Sequence, residues 1–259
     1  MANYRDLRTP NWQRVVIWVI AIAMAGGSLL GFFFMAIAAK NPNLSSTGIT
    51  TKKEQQAQAK LDAKSAERQK KIDAQNKELT KKYFAEFSQH KARVAAFEPS
   101  GIGDVKTEDL KIGDGAEITA SNTDYSMYYI GWKPNGEIFD SSINGDQLKS
   151  PIPGSGSYIT GWNEGVIGMK IGGVRLITIP ADKAYGSTGS GCDKDKKNCT
   201  VAPDTPLKFI VMAIPTPANI PYPKGTMAIC EKAAVSQAAQ YGVTPTALCE
   251  AYGYNNEEK

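Results

Sequence analysis

Between about residues 99 and 215 the sequence predicts an α+β fold in which an antiparallel sheet wraps one short helix. Three observations predict it. From about Ile102 a charged, helix-forming run gives way to short alternating apolar runs broken by Gly, Asn and Pro, the texture of strands and their turns. Asn135 and Gly136 supply a hairpin turn between two such runs. One segment, residues 161–169, has the mixed texture of a short helix, and several strands with one helix argue for a sheet wrapped around it.

The elements follow in chain order. Residues 1–14 carry Arg5, Arg8 and Arg14, and residues 15–39 form an uncharged run rich in Val, Ile, Ala, Phe and Met. That run is long enough to cross a bilayer as a transmembrane helix. Only Lys40 follows it closely, so the excess of Arg before it predicts a cytoplasmic N-terminus and an external remainder. A cleaved secretory signal is the rival reading, but the apolar run exceeds a usual signal core. The expected location is therefore the plasma membrane, crossed once.

Residues 40–50 read as a linker rich in Asn, Pro, Ser and Gly. Residues 51–97 are dense in Ala, Lys, Gln and Glu with no Gly or Pro, which predicts a long helical stalk. Leu61, Ile72, Tyr83 and Val94 recur every eleven residues, a thin seam that fits a solvated stalk and leaves self-association through stalk or span open. Near its end Tyr83, Phe84, Phe87 and Phe97 are apolar enough to dock on the next domain.

Within residues 99–215, the strands expected are 117–130, 174–179 and 207–214. Residues 216–224, with Pro217, Pro221 and Pro223, predict a stiff linker. Residues 225–259 predict a small helical hairpin with helices over 227–241 and 245–252; Gly242 would stop the first, and Thr244 with Pro245 start the second.

Composition narrows the function classes. The net charge of +4 over 259 residues is too small to imply nucleic acid. The single histidine, His90, sits in a charged helical stretch, so histidine-based triads and metal sites have almost nothing to be built from. No cofactor and no metal are expected; Asp193, Asp195 and Asn198 match no calcium-loop spacing and read as a solvated tip. The four cysteines all follow the apolar run, which suits an oxidising exterior, and four cysteines allow three pairings. Cys192 with Cys199 is preferred because both sit in one short loop, and Cys230 with Cys249 by elimination and because an antiparallel hairpin brings them together.

An ordered set of strings carries the functional reading: YIGW (129–132), GEIFDSS (136–142), YITGWNEGVIGMKIGG (158–173), TIPADKAYG (178–186) and PLKFIVMAI (206–214). Their order and spacing resemble the FKBP-type peptidyl-prolyl cis/trans isomerase domain, over about residues 105–215. The resemblance implies a rotamase acting on X-Pro bonds, as a folding catalyst for proline-containing segments of secreted or surface proteins. It implies that Tyr129 and Phe139 wall the pocket, that Asp140 faces the substrate carbonyl, and that the Ile159 backbone amide donates to the ligand. Trp162 would floor the pocket, Tyr185 would hydrogen-bond the substrate, and Phe209 would close the far wall. Tyr158 and Val201 are implied as further substrate-binding residues. An FKBP-like binding or chaperone module that scaffolds the cell envelope, with little catalysis, is the alternative reading.

Two segments depart from the family. Residues 148–157, LKSPIPGSGS, stand where many members have a paired aromatic strand, so one wall is expected to be aliphatic or missing. The loop GSTGSGCDKDKKNCT (186–200) overhangs the pocket in the family, and its charged tip is expected to bear on substrate choice. In the tail, YGVTPTAL followed by GYNN is weakly similar to LysM peptidoglycan-binding modules, which implies cell-wall glycan as a partner, against a plain helical appendage.

Overall fold

A computed structural model describes residues 52–195 and 198–258 of the protein. The expected N-terminal segment, membrane span and linker lie outside the described residues. Among the described residues no helix is long and apolar enough to cross a membrane. The described chain divides into two compact units, residues 74–218 and residues 52–73 with 219–258.

In residues 74–218 the strands are β1 (Lys106–Lys111), β2 (Tyr125–Trp132), β3 (Ile138–Ser141), β4 (Ile143–Asn144), β5 (Gln147–Leu148), β6 (Ile152–Pro153), β7 (Val174–Ile179) and β8 (Leu207–Pro215). Six of them make one antiparallel sheet of order β1-β7-β8-β2-β3, with β6 also on β2, while β4 and β5 pair separately. Successive side chains of a strand point to opposite faces, and the long central strands bury both. Tyr125, Met127 and Tyr129 of β2, Ile177 and Ile179 of β7, and Leu207, Phe209 and Val211 of β8 share a front layer. Tyr128, Ile130, Trp132, Val174, Ile210, Met212 and Ile214 share a back layer.

Helix α2 (Thr160–Val166) covers the front. It lies close because Gly161 and Gly165, four residues apart on one face, leave room for β7: a Cβ on them would fall 2.3 Å from Ile179 Cγ2 and 2.4 Å from Ile177 Cγ2. Arg175 of β7, 6% exposed, donates to both carboxylate oxygens of Asp109 in β1 and to the carbonyls of Gly165 and Ile167. One guanidinium thereby ties β1, β7 and the end of α2 with a bidentate charge-assisted pair.

The back is covered by the end of helix α1 (Lys52–Ser88) and the segment after it. Tyr83, Phe84 and Phe87, then Val94 and Phe97, pack on the back layer, with Phe87 fully buried. The helix stops at Ser88, earlier than residue 97, and continues as a short 3-10 helix, Gln89–Arg93, into extended chain. The β2–β3 hairpin claims the backbone there: Phe97 N–H bonds Pro134 O at 2.9 Å, and Trp132 Nε1 donates to Ala95 O at 3.1 Å.

Other boundaries also differ. The strand expected from residue 117 begins at Tyr125; Glu117 makes only an isolated bridge to Lys170, and Ile118 spends its backbone groups on Met169 and Gly168. Strand β1 was not expected, because KTEDLK is a charged, exposed edge strand, the kind of edge that resists further pairing and carries no apolar alternation.

In the other unit, Leu61 of α1 packs with Cys230, Ala234, Ala238, Leu248, Cys249 and Tyr254. The tail holds three helices where a two-helix hairpin was expected: α3 (Thr226–Ala233), α4 (Val235–Tyr241) and α5 (Pro245–Ala251). The expected first helix breaks at Ala234 because the Ser236 N–H and hydroxyl both turn to the Glu54 carboxylate, at 2.9 and 2.7 Å, taking that amide out of the helical ladder. Gly242 ends α4 at φ 67°, and the Thr244 side chain accepts from Ala247 N–H ahead of Pro245. The disulfide Cys230–Cys249 joins α3 to α5.

Candidate functional site

Strand alternation and the α2 glycines bring the front-layer aromatic residues onto one indole. Trp162 of α2, 3% exposed, is met edge-on by Tyr129 of β2 at 5.7 Å and by Phe209 of β8 at 5.2 Å, while Tyr158 lies tilted against it at 5.5 Å. Phe139 of β3 stands edge-on to Phe209 at 5.7 Å. Rings at these distances and angles add favourable quadrupole contacts to their apolar burial. Ile159, Val201 and Tyr185 complete the cluster, with Val201 fully buried.

The polar groups of the cluster are few. Asp140 of β3 accepts from the Tyr129 hydroxyl on Oδ2 and from Ser141 N–H on Oδ1 at 2.8 Å. Ile159 is the extended residue before α2; its carbonyl accepts from Trp162 and Asn163, and its N–H has no acceptor among the described residues. The Trp162 Nε1–H is buried without a hydrogen-bond partner among the described residues. Buried donors normally find partners, so the unpaired Trp162 Nε1–H marks a donor at the centre of the cluster.

Burial pushes the phenols up. For Tyr129 desolvation is the main cause, reinforced by the hydrogen bond to Asp140 and by its charge, and the shift is large. Tyr158 is raised to about 12, mainly by burial and secondarily by Tyr125, and its hydroxyl donates to Pro153 O. Tyr185 is raised by burial and by the Asp140 charge, against a hydrogen bond with Ser190 that lowers it. All three stay protonated at neutral pH, with Tyr129 and Tyr158 donating to Asp140 and Pro153.

The loop beyond Tyr185 is a small hairpin. Tyr185 O accepts from Gly189 N–H at 3.2 Å, Ser190 and Val201 exchange backbone hydrogen bonds at 2.8 and 3.1 Å, and the disulfide Cys192–Cys199 crosses it. Among the described residues no cluster of potential metal ligands is present.

The structure thus gathers Tyr129, Phe139, Asp140, Tyr158, Ile159, Trp162, Tyr185, Val201 and Phe209 in one cluster about the Trp162 indole. Cys192 and Cys199 sit in the adjoining loop, whereas Cys230 and Cys249 belong to the other unit. A separate open cleft in that unit, edged by Lys53, Lys60 and Lys232, contains no aromatic side chain and no catalytic constellation.

Sequence reasoning missed two contributors. Gly131 is required for the ring contacts, because a Cβ there would fall 2.6 Å from Phe209 and 2.9 Å from Phe139. The signal was present, a glycine inside an otherwise apolar strand, which marks close approach. Lys149 lies with Nζ 3.8 Å from Asp140 Oδ1, and nothing in the string LKSPIPGSGS announces that pairing.

The model of the FKBP-type peptidyl-prolyl cis-trans isomerase family matches residues 115–214. An FK506-binding protein of Neisseria meningitidis serogroup A is 41% identical over 90 residues, covering 35% of this chain and 82% of that protein. An FK506-binding protein of Streptomyces anulatus is 40% identical over 109 residues, covering 41% of this chain and 82% of its own. A solved peptidyl-prolyl cis-trans isomerase of Pseudomonas syringae pv. tomato superposes with a TM-score of 0.34 at 28% identity, covering 55% of this chain and 92% of that one.

Proposed function

This chain belongs to the family of FKBP-type peptidyl-prolyl cis-trans isomerases, and we propose that it works outside the membrane, turning X-Pro bonds of exported proteins as they fold. An X-Pro bond resists rotation because amide resonance must be broken, against a barrier of about 18–20 kcal/mol. No bond to a nucleophile need form. At the twisted transition state the amide is less dipolar than at the planar ground state. A dry aromatic cavity therefore binds it better than water does, and only such differential binding accelerates the step.

The residues divide that task. Trp162, Tyr129, Phe139 and Phe209 hold the prolyl ring and exclude water. Ile159 N–H and the Tyr185 hydroxyl orient the substrate carbonyls. Asp140, fixed by Tyr129 and Ser141, faces the carbonyl whose bond to nitrogen twists. The observation that carries this reading is the set of aromatic edges converging on the buried Trp162 indole.

The external location is supported by the uncharged run at residues 15–39, by the arginines before it, and by four cysteines with two disulfides after it. Its clients on this reading are proline-containing segments of secreted or surface proteins.

Two experiments test these statements. The full chain in detergent should accelerate isomerisation of a proline test peptide, and Tyr185→Phe and Asp140→Ala should each slow it; unchanged turnover in both would remove them from the site. Protease added to intact cells should digest residues 52–258 if they lie outside, and their complete protection would refute the location.

A further inference from the structure

Residues 148–150 form a strap that hydrogen bonds from two other elements hold in place. Leu148 N–H donates to Thr80 Oγ1 of α1 at 3.1 Å, and Asn76 Nδ2 of α1 donates to Ser150 Oγ at 2.8 Å. Between them Lys149 N–H donates to Ser142 O, next to β3, at 2.9 Å. Leu148 is 4% exposed in the back layer, so alternation along the extended chain sends the Lys149 side chain the other way, where Nζ comes within 3.8 Å of Asp140 Oδ1.

That spacing makes an ion pair but is too long for a hydrogen bond. Asp140 already has Tyr129 OH and Ser141 N–H as donors. The ammonium of Lys149, on a side chain 55% exposed, therefore brings a positive charge to the mouth of the cluster without spending its donors on Asp140. The clustered side chains themselves, from Tyr129 and Phe139 to Tyr185 and Val201, carry no charge. The mouth is thus read by two opposite charges. Asp140 alone would repel an acidic side chain carried by the substrate, and Lys149 sets a positive charge against that repulsion.

We propose that Lys149 is a specificity-determining residue that favours prolyl bonds preceded by an acidic residue, with Thr80 and Asn76 as its positioning residues. The inference rests on the reading in which Asp140 faces the carbonyl before the proline, since that places the preceding side chain within reach of Lys149. It also gives the end of α1 a functional role, because two of the three hydrogen bonds that fix the strap come from the helix.

The test uses the full chain in detergent and proline peptides identical except for Glu, Ala or Lys before the proline, with kcat/KM as readout. The wild-type order should be Glu above Ala above Lys. Lys149→Met should lower the Glu-to-Lys ratio by about two- to fivefold, as expected for one exposed charge pair, and Lys149→Glu should invert the order. Raising the salt should shrink the wild-type ratio. Thr80→Val combined with Asn76→Ala should lower the ratio without inverting it. A Glu-to-Lys ratio equal in wild type and Lys149→Glu, with the Ala peptide still turned over, refutes the inference alone. Failure of the wild type to accelerate any of the three peptides refutes the reading of the site and the inference with it.

Discussion

Phe87→Ala tests whether the end of α1 is part of the isomerase unit. The ring is fully buried, stands 6.1 Å from Tyr128, and packs in one layer with Ile130, Trp132 and Ile210. Replacing a buried Phe by Ala costs about 3–5 kcal/mol, from lost transfer free energy plus the cavity left behind. Here little of that cost is relieved by relaxation. The sheet on one side is hydrogen-bonded throughout, and the extended chain after the helix is pinned at Phe97 and Ala95, so the walls cannot collapse inward. A loss of about 4 kcal/mol lowers the folded-to-unfolded ratio by roughly three orders of magnitude, and the midpoint of thermal unfolding by on the order of 10 °C. The assay is chemical denaturation followed by tryptophan fluorescence, with two controls. Glu78→Ala, a side chain 69% exposed, should stay within about 0.5 kcal/mol. Tyr128→Phe removes a buried hydroxyl that has no hydrogen-bond partner among the described residues, so it should be neutral or stabilising. A cost below about 1 kcal/mol for Phe87→Ala, at unchanged denaturant dependence, would refute the packing argument.

Two further outcomes follow from the same structure. Tyr129 and Tyr158 bind their phenolic protons more tightly folded than unfolded, because burial opposes the phenolate. Their contribution is complete below the unfolded value of about 10 and is lost as pH rises from there towards the folded values. Stability measured by denaturant should therefore fall above pH about 10, and Tyr129→Phe and Tyr158→Phe should each flatten that limb; an unchanged limb in both variants would show that the phenols are not buried as described. In the tail, the double variant Cys230→Ser and Cys249→Ser opens a link spanning 19 residues, worth roughly 3 kcal/mol. Residues 219–258 should then be cut by limited proteolysis at much lower protease concentration, and equal resistance would sink this account of the disulfide.

The legible parts of the fold are those whose residues answer to one neighbour at a time. Val174–Ile179 and Leu207–Pro215 read as strands because every position is apolar or alternates, and α2 reads as the one helix in its region. The back layer was written in the same strings. Tyr125–Trp132 has no polar face, and a strand apolar on both faces has two coverings, of which α2 supplies only one. The second covering is the end of α1, where Tyr83, Phe84 and Phe87 dock, followed by Phe97 in the segment after it, as the aromatic run predicts. What could not be read is where a non-local hydrogen bond overrides propensity. The helix is expected to run on to residue 97, but Trp132 and Pro134, nearly 40 residues downstream, claim its backbone; Ala234 sits in a run of good helix formers, yet Glu54, 182 residues from Ser236, breaks it.

The site shows the same division more sharply. Each aromatic at the indole is a short-range fact, a large ring at a strand or helix position, and its identity can be read directly. The closeness of those rings is set by what is missing from Gly131, Gly161 and Gly165, where a side chain would strike Phe209, Ile179 and Ile177 respectively. Glycine at these positions works by absence, so its role becomes visible only once the partner strand or helix is in place. Lys149 is the opposite case. Its charge is plain in the sequence, but its meaning depends on Leu148 turning inward, on Ser142 holding its amide, and on Thr80 and Asn76 reaching from a helix some 70 residues earlier. On the proposed reading, the rings that hold the prolyl group, together with Asp140, Ile159 and Tyr185, all lie within the ring-bearing strings. The charge proposed to guide substrate choice is fixed in part from outside them, by Thr80 and Asn76 of α1.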